Sequence, residues 1–171
     1  FHNSPQTRKA QSAEDKMIDN AQLKKDITKQ FGTHCAVIDL NIVDKNISRL
    51  QALCDGARVA NRPHIKTHKS SVLAQRQLDA GAKGVTCQKL GEAEIMAEAG
   101  IKDILIATNI IGAARSGRLA ALQRRTPLKV CADNPFSVNL YADAGRDAER
   151  PVIVVIECDT GQKRAGVVLS L

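Results

Sequence analysis

A lysine between two histidines is the most chemically suggestive feature of this 171-residue sequence. Lys66 lies between His64 and His68 in the string RPHIKTHK, after an approach that Pro63 keeps extended. A lysine amine that is partly desolvated and near other cations can act as a nucleophile toward a carbonyl group. On spacing alone, a surface lysine in a basic loop is the simpler interpretation.

Other polar residues follow the later apolar runs of the chain, where strands are predicted to end. The carboxyl ends of parallel strands meet at one edge of a sheet, so we expect these residues to lie near Lys66. They are Gln88, Thr108, Asn109, Asp133, Asn134, Asp159, Gln162 and Arg164.

Alternating strand and helix patterns must position these side chains. A leading strand is predicted over 34–41, followed by a helix over 42–54 for which Asn41 is the expected cap. Gly145 is expected to close the last helix, which Asn134 and Pro135 begin. The remaining predicted strands cover 58–66, 84–88, 103–108, 128–133 and 151–159, and the remaining helices cover 70–80, 91–99 and 113–125.

Continuous apolar runs in these strands predict a parallel α/β sheet that is covered by helices. Five βα-type strands follow the leading one, whereas a closed (βα)8 barrel has eight strands and about 250 residues. The pattern therefore fits either an open sheet or the first part of a barrel. No GxGxxG or GxxxxGK[ST] string follows the first strand, which excludes the dinucleotide and P-loop forms of the open sheet.

The charge distribution favours a small anionic ligand over nucleic acid. The net charge is +7, with seven basic residues and one acidic residue between 58 and 89. Aromatic residues make up only 2%, so stacking platforms for single-stranded nucleic acid are not expected. No apolar run approaches the roughly 18 residues of a membrane span. We therefore expect neither nucleic acid nor membrane as a partner.

The cysteines predict a reducing, cytoplasmic location. There are five, at positions 35, 54, 87, 131 and 158, without a CxxC pair, and four lie in apolar, strand-like segments. Buried, reduced thiols are the expected outcome, and zinc binding is disfavoured. Residues 1–16 are polar, lack the apolar core of a signal peptide and are expected to form a tail.

The string RPHIKTHK closely resembles the signature of the D-threonine aldolase and D-serine dehydratase family. These are pyridoxal-phosphate (PLP) enzymes of the alanine racemase fold type. Further segments resemble the family in the same order, so that the resemblance spans about residues 33–168. They are VIDLNIVDKNI (37–47), AGAKGVTCQKLGEAEIMAEAGIKDILI (80–106), TNIIG (108–112) and IECDTGQKRAGV (156–167).

The resemblance implies a (βα)8 barrel of which only about the first five βα units are present. Residues 1–32 would form a polar tail and lead-in, and residues 33–171 the N-terminal part of the PLP-binding barrel. The rest of the barrel and a C-terminal β-domain would lie outside the sequence, which would make the sequence a fragment. The family usually has Thr-Pro before its first strand, where this chain has Thr33 and His34.

The resemblance also implies residue roles. Lys66 would bind PLP covalently, Arg164 would lie near the phenolic oxygen of the cofactor, and Gln88 and Asn109 would line its pocket. His64 and His68 are candidate catalytic residues, with loop-shaping hydrogen bonding as the alternative. Outside this set, Lys69 is expected to be a helix-start or phosphate-proximal charge, and Glu92 and Glu94 solvated charges in the first turn of their helix.

The implied activity is that of a PLP-dependent lyase acting on D-configured β-hydroxy amino acids. TNIIG is more similar to the aldolase and hydroxyaspartate branch of the family than to its eukaryotic D-serine branch. An aldolase, which cleaves its substrate to glycine and an aldehyde, is therefore the preferred expectation. A dehydratase is the main alternative, and a racemase or a non-catalytic PLP carrier are the others. A divalent metal (Mn²⁺, Mg²⁺ or Zn²⁺) is expected, held by residues outside this sequence, and the complete protein is expected to form a homodimer.

Overall fold

The computed structural model describes residues 20–168. The chain divides into two compact units, of which the first ends at Asp39 and the second begins at Leu40. In the first unit, α1 (Asn20–Phe31) occupies the C-terminal part of the predicted lead-in, and the predicted tail over 1–16 lies outside the described residues. The second unit contains α2 (Leu40–Gly56), α3 (Ser71–Asp79), β1 (Val85–Cys87), α4 (Leu90–Glu98), β2 (Ile104–Ile106), α5 (Ala113–Arg125), β3 (Leu128–Ala132), α6 (Pro135–Asp147), β4 (Ile153–Ile156), β5 (Cys158–Asp159) and β6 (Val167–Val168).

Four strands form the predicted parallel sheet, in the order β1-β2-β3-β4. Each strand is joined to the next by one helix, as continuous apolar runs separated by helical patterns predict. The first residues of β1, β2 and β3 are paired with one another, with Val85 opposite Ile104 and Ile104 opposite Leu128. Their carboxyl ends therefore lie along one edge. A second parallel pair, β5 and β6, follows β4.

The core lies where the helices cover β1, β2 and β3, whose inward side chains are fully buried. One polar side chain in this core joins two segments at the carboxyl edge. The hydroxyl of Tyr141 donates to the carbonyl of Cys131 (3.0 Å) and accepts from the backbone N–H of Ile110 (2.9 Å). This pairing satisfies the buried hydroxyl and fixes the turn after β2 against β3. None of the helices within residues 20–168 is long and apolar enough to span a membrane.

The predicted strand over 34–41 does not form. Residues 35–39 have no regular structure, and α2 begins at Leu40, so Asn41 lies inside the helix and does not precede it. Only residues 40 and 41 of the predicted strand enter the helix. Residues 35–39 pair with no strand within residues 20–168, and Val37 and Ile38 are exposed, so the apolar run lacks the cover that a strand of a parallel sheet normally has. Cys35 is exposed in consequence, contrary to the expected burial.

The predicted strand over 58–66 is reduced to one parallel bridge, between His64 and Thr86 of β1. Pro63 lacks an N–H and contributes only its carbonyl, which accepts from the N–H of Thr86 (2.8 Å). The predicted strand over 151–159 is divided at Glu157. Its first part pairs with β3 and its second part, β5, pairs with β6.

Two smaller expectations also change. Gly145 lies inside α6 and does not close it; a Cβ there would be 3.3 Å from the carbonyl oxygen of Arg150, so the glycine permits close packing of the following turn. Cys158 is exposed, whereas Cys87 and Cys131 are buried as expected. The predicted helix start at Asn134 is confirmed, because its side chain accepts from the N–H of Ser137. Ser70 caps α3 in the same way, by accepting from the N–H of Leu73.

An ion-pair cluster occupies the amino ends of the strands. Asp103, just before β2, binds the guanidinium of Arg62 (2.7 Å) and the amine of Lys129. The Arg62 hydrogen bond is the largest cause that lowers the pKa of Asp103. Gly84 is required beside this cluster, because a Cβ would lie 2.3 Å from the Asp103 carbonyl oxygen. Both cations of this cluster contact the same carboxylate, that of Asp103.

Candidate active site

A cavity of about 340 Å³ opens at the carboxyl ends of the strands. This size is within the range of small-molecule sites, about 300–1,000 Å³. Five of the six residues predicted from the sequence lie in its wall, and His68 does not. The wall consists of His64, Lys66, Gln88, Ala107, Thr108, Asn109, Glu157, Cys158, Asp159, Thr160, Gln162, Arg164 and Ala165.

Lys66 is held at the cavity by its neighbours along the chain. Ile65 is fully buried, and its N–H donates to the carbonyl of Thr86 (2.9 Å), which fastens the loop to β1. The N–H of Lys66 donates to Nδ1 of His64 (3.3 Å). The Lys66 residue itself is exposed. A buried anchor next to an exposed lysine keeps the backbone fixed while the amine remains accessible.

His64 connects this loop to the end of β1. Its Nε2 lies 3.2 Å from Oε1 of Gln88, while Nδ1 accepts from the N–H of Lys66. With Nδ1 as the acceptor, the ring proton lies on Nε2, from which it is donated to Gln88. His64 thereby positions both Gln88 and the backbone of Lys66.

Glu92 departs from the expected solvated charge. Its side chain is only 10% exposed, and Oε2 accepts from the backbone N–H of Gln88 (2.7 Å). The Lys69 amine lies 3.9 Å from its Oε1. Glu92 therefore braces the end of β1 from the first turn of α4. Burial, followed by the charge of Glu92, raises the pKa of Cys87 to about 12, so that thiol is unreactive near neutral pH.

His68 has the contacts of a loop-shaping residue. Its Nδ1 accepts from the backbone N–H of Ser70 (3.0 Å) at the start of α3, and its Nε2 is buried. Desolvation lowers the pKa of His68. These contacts favour the loop-shaping alternative for this histidine.

The loop that carries Arg164 is shaped by carboxylates. Oδ1 of Asp159 accepts from the backbone N–H groups of Gly161 (2.8 Å) and Lys163 (3.0 Å). These bonds lower the pKa of Asp159, with the Gly161 bond the largest cause. Within residues 20–168, neither the Arg164 guanidinium nor the Lys66 amine forms a hydrogen bond or an ion pair. The cavity wall thus has two cationic groups that no residue of the described part of the chain pairs with.

Comparison with known proteins identifies the family of the chain. Residues 38–170 match the family model described as "Alanine racemase, N-terminal domain". The chain belongs to this family. It is 39% identical over 135 residues to a D-threonine aldolase from Arthrobacter sp., and 38% identical over 135 residues to a D-threo-3-hydroxyaspartate dehydratase from Delftia sp.; each match covers 79% of this chain and 36% of the relative.

A solved structure of D-threonine aldolase from Filomicrobium marinum superposes with a TM-score of 0.74 at 34% identity, over 77% of this chain and 36% of that one. The predicted alanine racemase-type α/β fold is therefore confirmed. The chain spans about 36% of the length of these relatives. Both curated relatives are named as enzymes, and the alanine racemase N-terminal domain family to which the chain belongs is accordingly a family of enzymes.

The donor set of this family member suits an anionic aldehyde cofactor. An amine and a guanidinium, neither of which has a partner within residues 20–168, face a cavity that also presents the amide side chains of Gln88 and Asn109. Guanidinium groups bind anionic oxygens through a planar fork, and an accessible amine can bond covalently to an aldehyde. Within residues 20–168, no group of three or more His, Cys, Asp or Glu side chains could hold a metal ion.

Sequence reasoning did not single out Glu157, and it assigned Glu92 only as a solvated charge. Glu157 is half-buried in the cavity wall, and its charge, after burial, raises the pKa of Cys131. A detectable signal existed for Glu157, since it is the first charged residue within the apolar run that begins at Pro151. Glu92 has no comparable signal, because its burial depends on a loop more than twenty residues earlier in the chain.

Proposed function

We propose that this sequence is the N-terminal part of a PLP-dependent lyase that cleaves D-configured β-hydroxy amino acids to glycine and an aldehyde. The observation that carries the proposal is that Lys66 and Arg164, both without a partner among the described residues, line one cavity. The names of the relatives, an aldolase and a dehydratase of hydroxy amino acids, support the substrate class.

Within this proposal, residues 33–171 form the N-terminal part of a (βα)8 barrel, and residues 1–32 lead into it. The remaining strands and a C-terminal β-domain come from chain beyond Leu171. Support comes from β4, where Ile153 is 51% and Ile156 is 69% exposed, since strands of a parallel sheet are normally covered. We therefore expect residues 1–171 alone to be inactive.

Lys66 would bind PLP covalently, and Arg164 would hold its phenolic oxygen. Bound PLP supplies an electron sink for the electrons released when a bond to the substrate α-carbon breaks. Gln88 and Asn109 orient the cofactor from the ends of β1 and β2. His64 keeps Gln88 and the Lys66 backbone in place, and both of its ring nitrogens are engaged in doing so.

The Lys66 amine would also be available to accept a proton inside the cavity. In the dehydratase alternative, this proton comes from the substrate α-carbon. In the aldolase reaction, a base removes the proton of the β-hydroxyl. We propose that a divalent metal near that oxygen, held by residues outside this sequence, assists either reaction, and that the complete protein is a homodimer.

The experiment is an assay of the complete protein with PLP, Mn²⁺ and D-threonine, in which both product pairs are quantified. Glycine and acetaldehyde support the aldolase, whereas a 2-oxo acid and ammonia identify a dehydratase. Formation of L-allo-threonine, the epimer of D-threonine at the α-carbon, identifies a racemase. PLP binding without turnover of any hydroxy amino acid identifies a carrier and contradicts the lyase proposal.

A further inference from the structure

Asp133 joins two parts of the cavity wall without itself lining the cavity. It directly follows β3, and its two carboxylate oxygens accept hydrogen bonds from different segments. Oδ1 accepts from the side-chain amide of Asn109 (2.8 Å), after β2. Oδ2 accepts from the backbone N–H of Gly166 (3.2 Å), two residues after Arg164. One carboxylate thus binds both an amide of the wall and the loop of the arginine.

The first of these contacts fixes the orientation of Asn109. The Asn109 carbonyl oxygen faces the backbone N–H of Asp133 and the side-chain amide of Asn134, each at 3.4 Å. Its Nδ2 donates one hydrogen to Asp133. A side-chain amide has two N–H hydrogens, so one remains for a ligand in the cavity. Asp133 therefore determines which group of Asn109 the ligand meets.

The second contact fixes the end of the Arg164 loop. Gly166 has φ +101°, and a Cβ at this position would lie 2.6 Å from the backbone N of Asp159. Only glycine permits this close approach, which brings its N–H to Asp133. Asp159 holds the beginning of the same loop through Gly161 and Lys163. The backbone on each side of Arg164 is therefore held by a carboxylate that accepts hydrogen bonds from backbone N–H groups.

The charge of Asp133 suits this task. Hydrogen bonds to an ionised acceptor are about twice as strong as those between neutral groups. The side-chain amide of Asn134 is the largest cause that lowers the pKa of Asp133, followed by the N–H of Gly166. Asp133 is therefore a carboxylate, and an acceptor only, at neutral pH.

We propose that Asp133 is a positioning residue, which holds both the Asn109 side chain and the Arg164 loop in the positions from which they contact the cofactor. This inference rests on the proposed function, since it assumes that PLP occupies the cavity. Asp133 does not touch the cofactor and acts only through Asn109 and Gly166. The expected consequence is that a change at Asp133 alters how the cofactor is held while its bond to Lys66 still forms.

The test compares Asp133→Asn with Asp103→Asn in the complete protein. Both substitutions replace a carboxylate that lies beside a strand of the same sheet, but Asp103 is in the ion-pair cluster at the opposite ends of the strands. In Asp133→Asn, the side chain keeps only one acceptor oxygen. Its NH2 group then faces an N–H donor of either Asn109 or Gly166, and that hydrogen bond is lost. The measurements are the PLP dissociation constant, the absorption spectrum of bound PLP, and hydrogen exchange of the 161–166 amides without PLP.

For Asp133→Asn we expect a PLP dissociation constant about tenfold higher, because a charge-assisted hydrogen bond is lost. The absorption maximum should shift and the 161–166 amides should exchange faster, while Asp103→Asn leaves all three unchanged. Should Asp133→Asn fail to fold, Asp133→Ser, which keeps a small acceptor without the charge, is expected to show the same pattern.

Two outcomes overturn the inference in distinguishable ways. A wild-type protein that binds no PLP refutes the proposed function, and this inference with it. A wild-type protein that binds PLP, together with Asp133 variants whose affinity, spectrum and 161–166 exchange equal those of wild type, refutes the inference alone. An equal effect of Asp103→Asn on the spectrum would also refute it, since a general loss of stability would then explain the result.

Discussion

The two ends of the sheet are both rich in cations, but they use them differently. At the amino ends, Arg62 and Lys129 are matched by Asp103. At the carboxyl ends, Lys66 and Arg164 face a cavity, and neither is paired within residues 20–168. Acidic groups are available there, but Asp159 binds backbone amides instead. Matched charges stabilise the fold, and the unmatched ones remain available to a ligand.

The largest expected effect follows the removal of the amine from the cavity. Lys66→Ala in the complete protein should abolish the visible absorbance of lysine-bound PLP and lower turnover by about a thousandfold or more. Lys69→Ala is the control, because this nearby lysine faces Glu92 (3.9 Å) and does not line the cavity. Absorbance spectroscopy and turnover assays check both; loss of the signal in Lys69→Ala alone would reverse the assignment.

A smaller effect is expected when a lysine replaces Arg164, because the positive charge is kept and the planar guanidinium group is removed. Arg164→Lys should weaken PLP binding about tenfold, as expected for the loss of one charge-assisted hydrogen bond. Arg124→Lys is the matched control, since Arg124 is exposed and donates to the carbonyl of Asp147 (2.5 Å). Titration with PLP measures the effect. Equal affinities for wild type and Arg164→Lys would mean that Arg164 is an ordinary surface residue.

At the other end of the sheet, we expect an effect on stability without an effect on the cofactor. Asp103→Asn should lower the free energy of unfolding by about 1 kcal/mol at pH 7. The pKa of Asp103 is lower in the folded protein than in the unfolded chain, where it is about 3.9. The contribution of this carboxylate to the free energy of unfolding is therefore fully present above about pH 3.9, and it is lost as the pH falls through the folded-state pKa. Denaturant unfolding of both proteins between pH 7 and pH 3 should show the difference shrinking; a difference that grows toward acid would contradict the ion-pair account.

The smallest expected effect is protection of a thiol. Cys158 is exposed and lines the cavity, so bound PLP should slow its modification by iodoacetamide. Cys35, which is exposed and not part of the cavity wall, is the internal control. Cys87, with its pKa raised to about 12, should stay unmodified in the folded protein. Mass spectrometry of each cysteine peptide measures the rates, and equal Cys158 rates with and without PLP would place the cofactor elsewhere.

Local patterns were sufficient to predict much of the fold. The apolar runs around Val85, Ile104 and Leu128 predicted three buried parallel strands, because a strand that is covered on both faces needs no alternation. The run over 34–41 was misassigned because a short apolar stretch fits either a strand or the start of a helix. Here only residues 40 and 41 belong to a helix, and residues 35–39 pair with no strand within residues 20–168.

The candidate site was predictable only in part, for a related reason. Residues that follow strands share an edge by topology, and this rule placed Gln88, Asn109 and Arg164 together. The contacts that support them depend on partners far apart in the chain. Asp133 meets Gly166 33 residues later. Such pairings follow from tertiary packing, which the spacing of residues does not encode.

The most direct test of the central claim is to identify the residue that bonds to PLP. The PLP-loaded complete protein is reduced with sodium borohydride, digested and analysed by peptide mass spectrometry, with Lys66→Ala as the control. The account predicts a pyridoxyl group on Lys66 and none on the variant. A label on Lys69 or Lys163, or no label on any lysine of a protein that retains PLP, would contradict it.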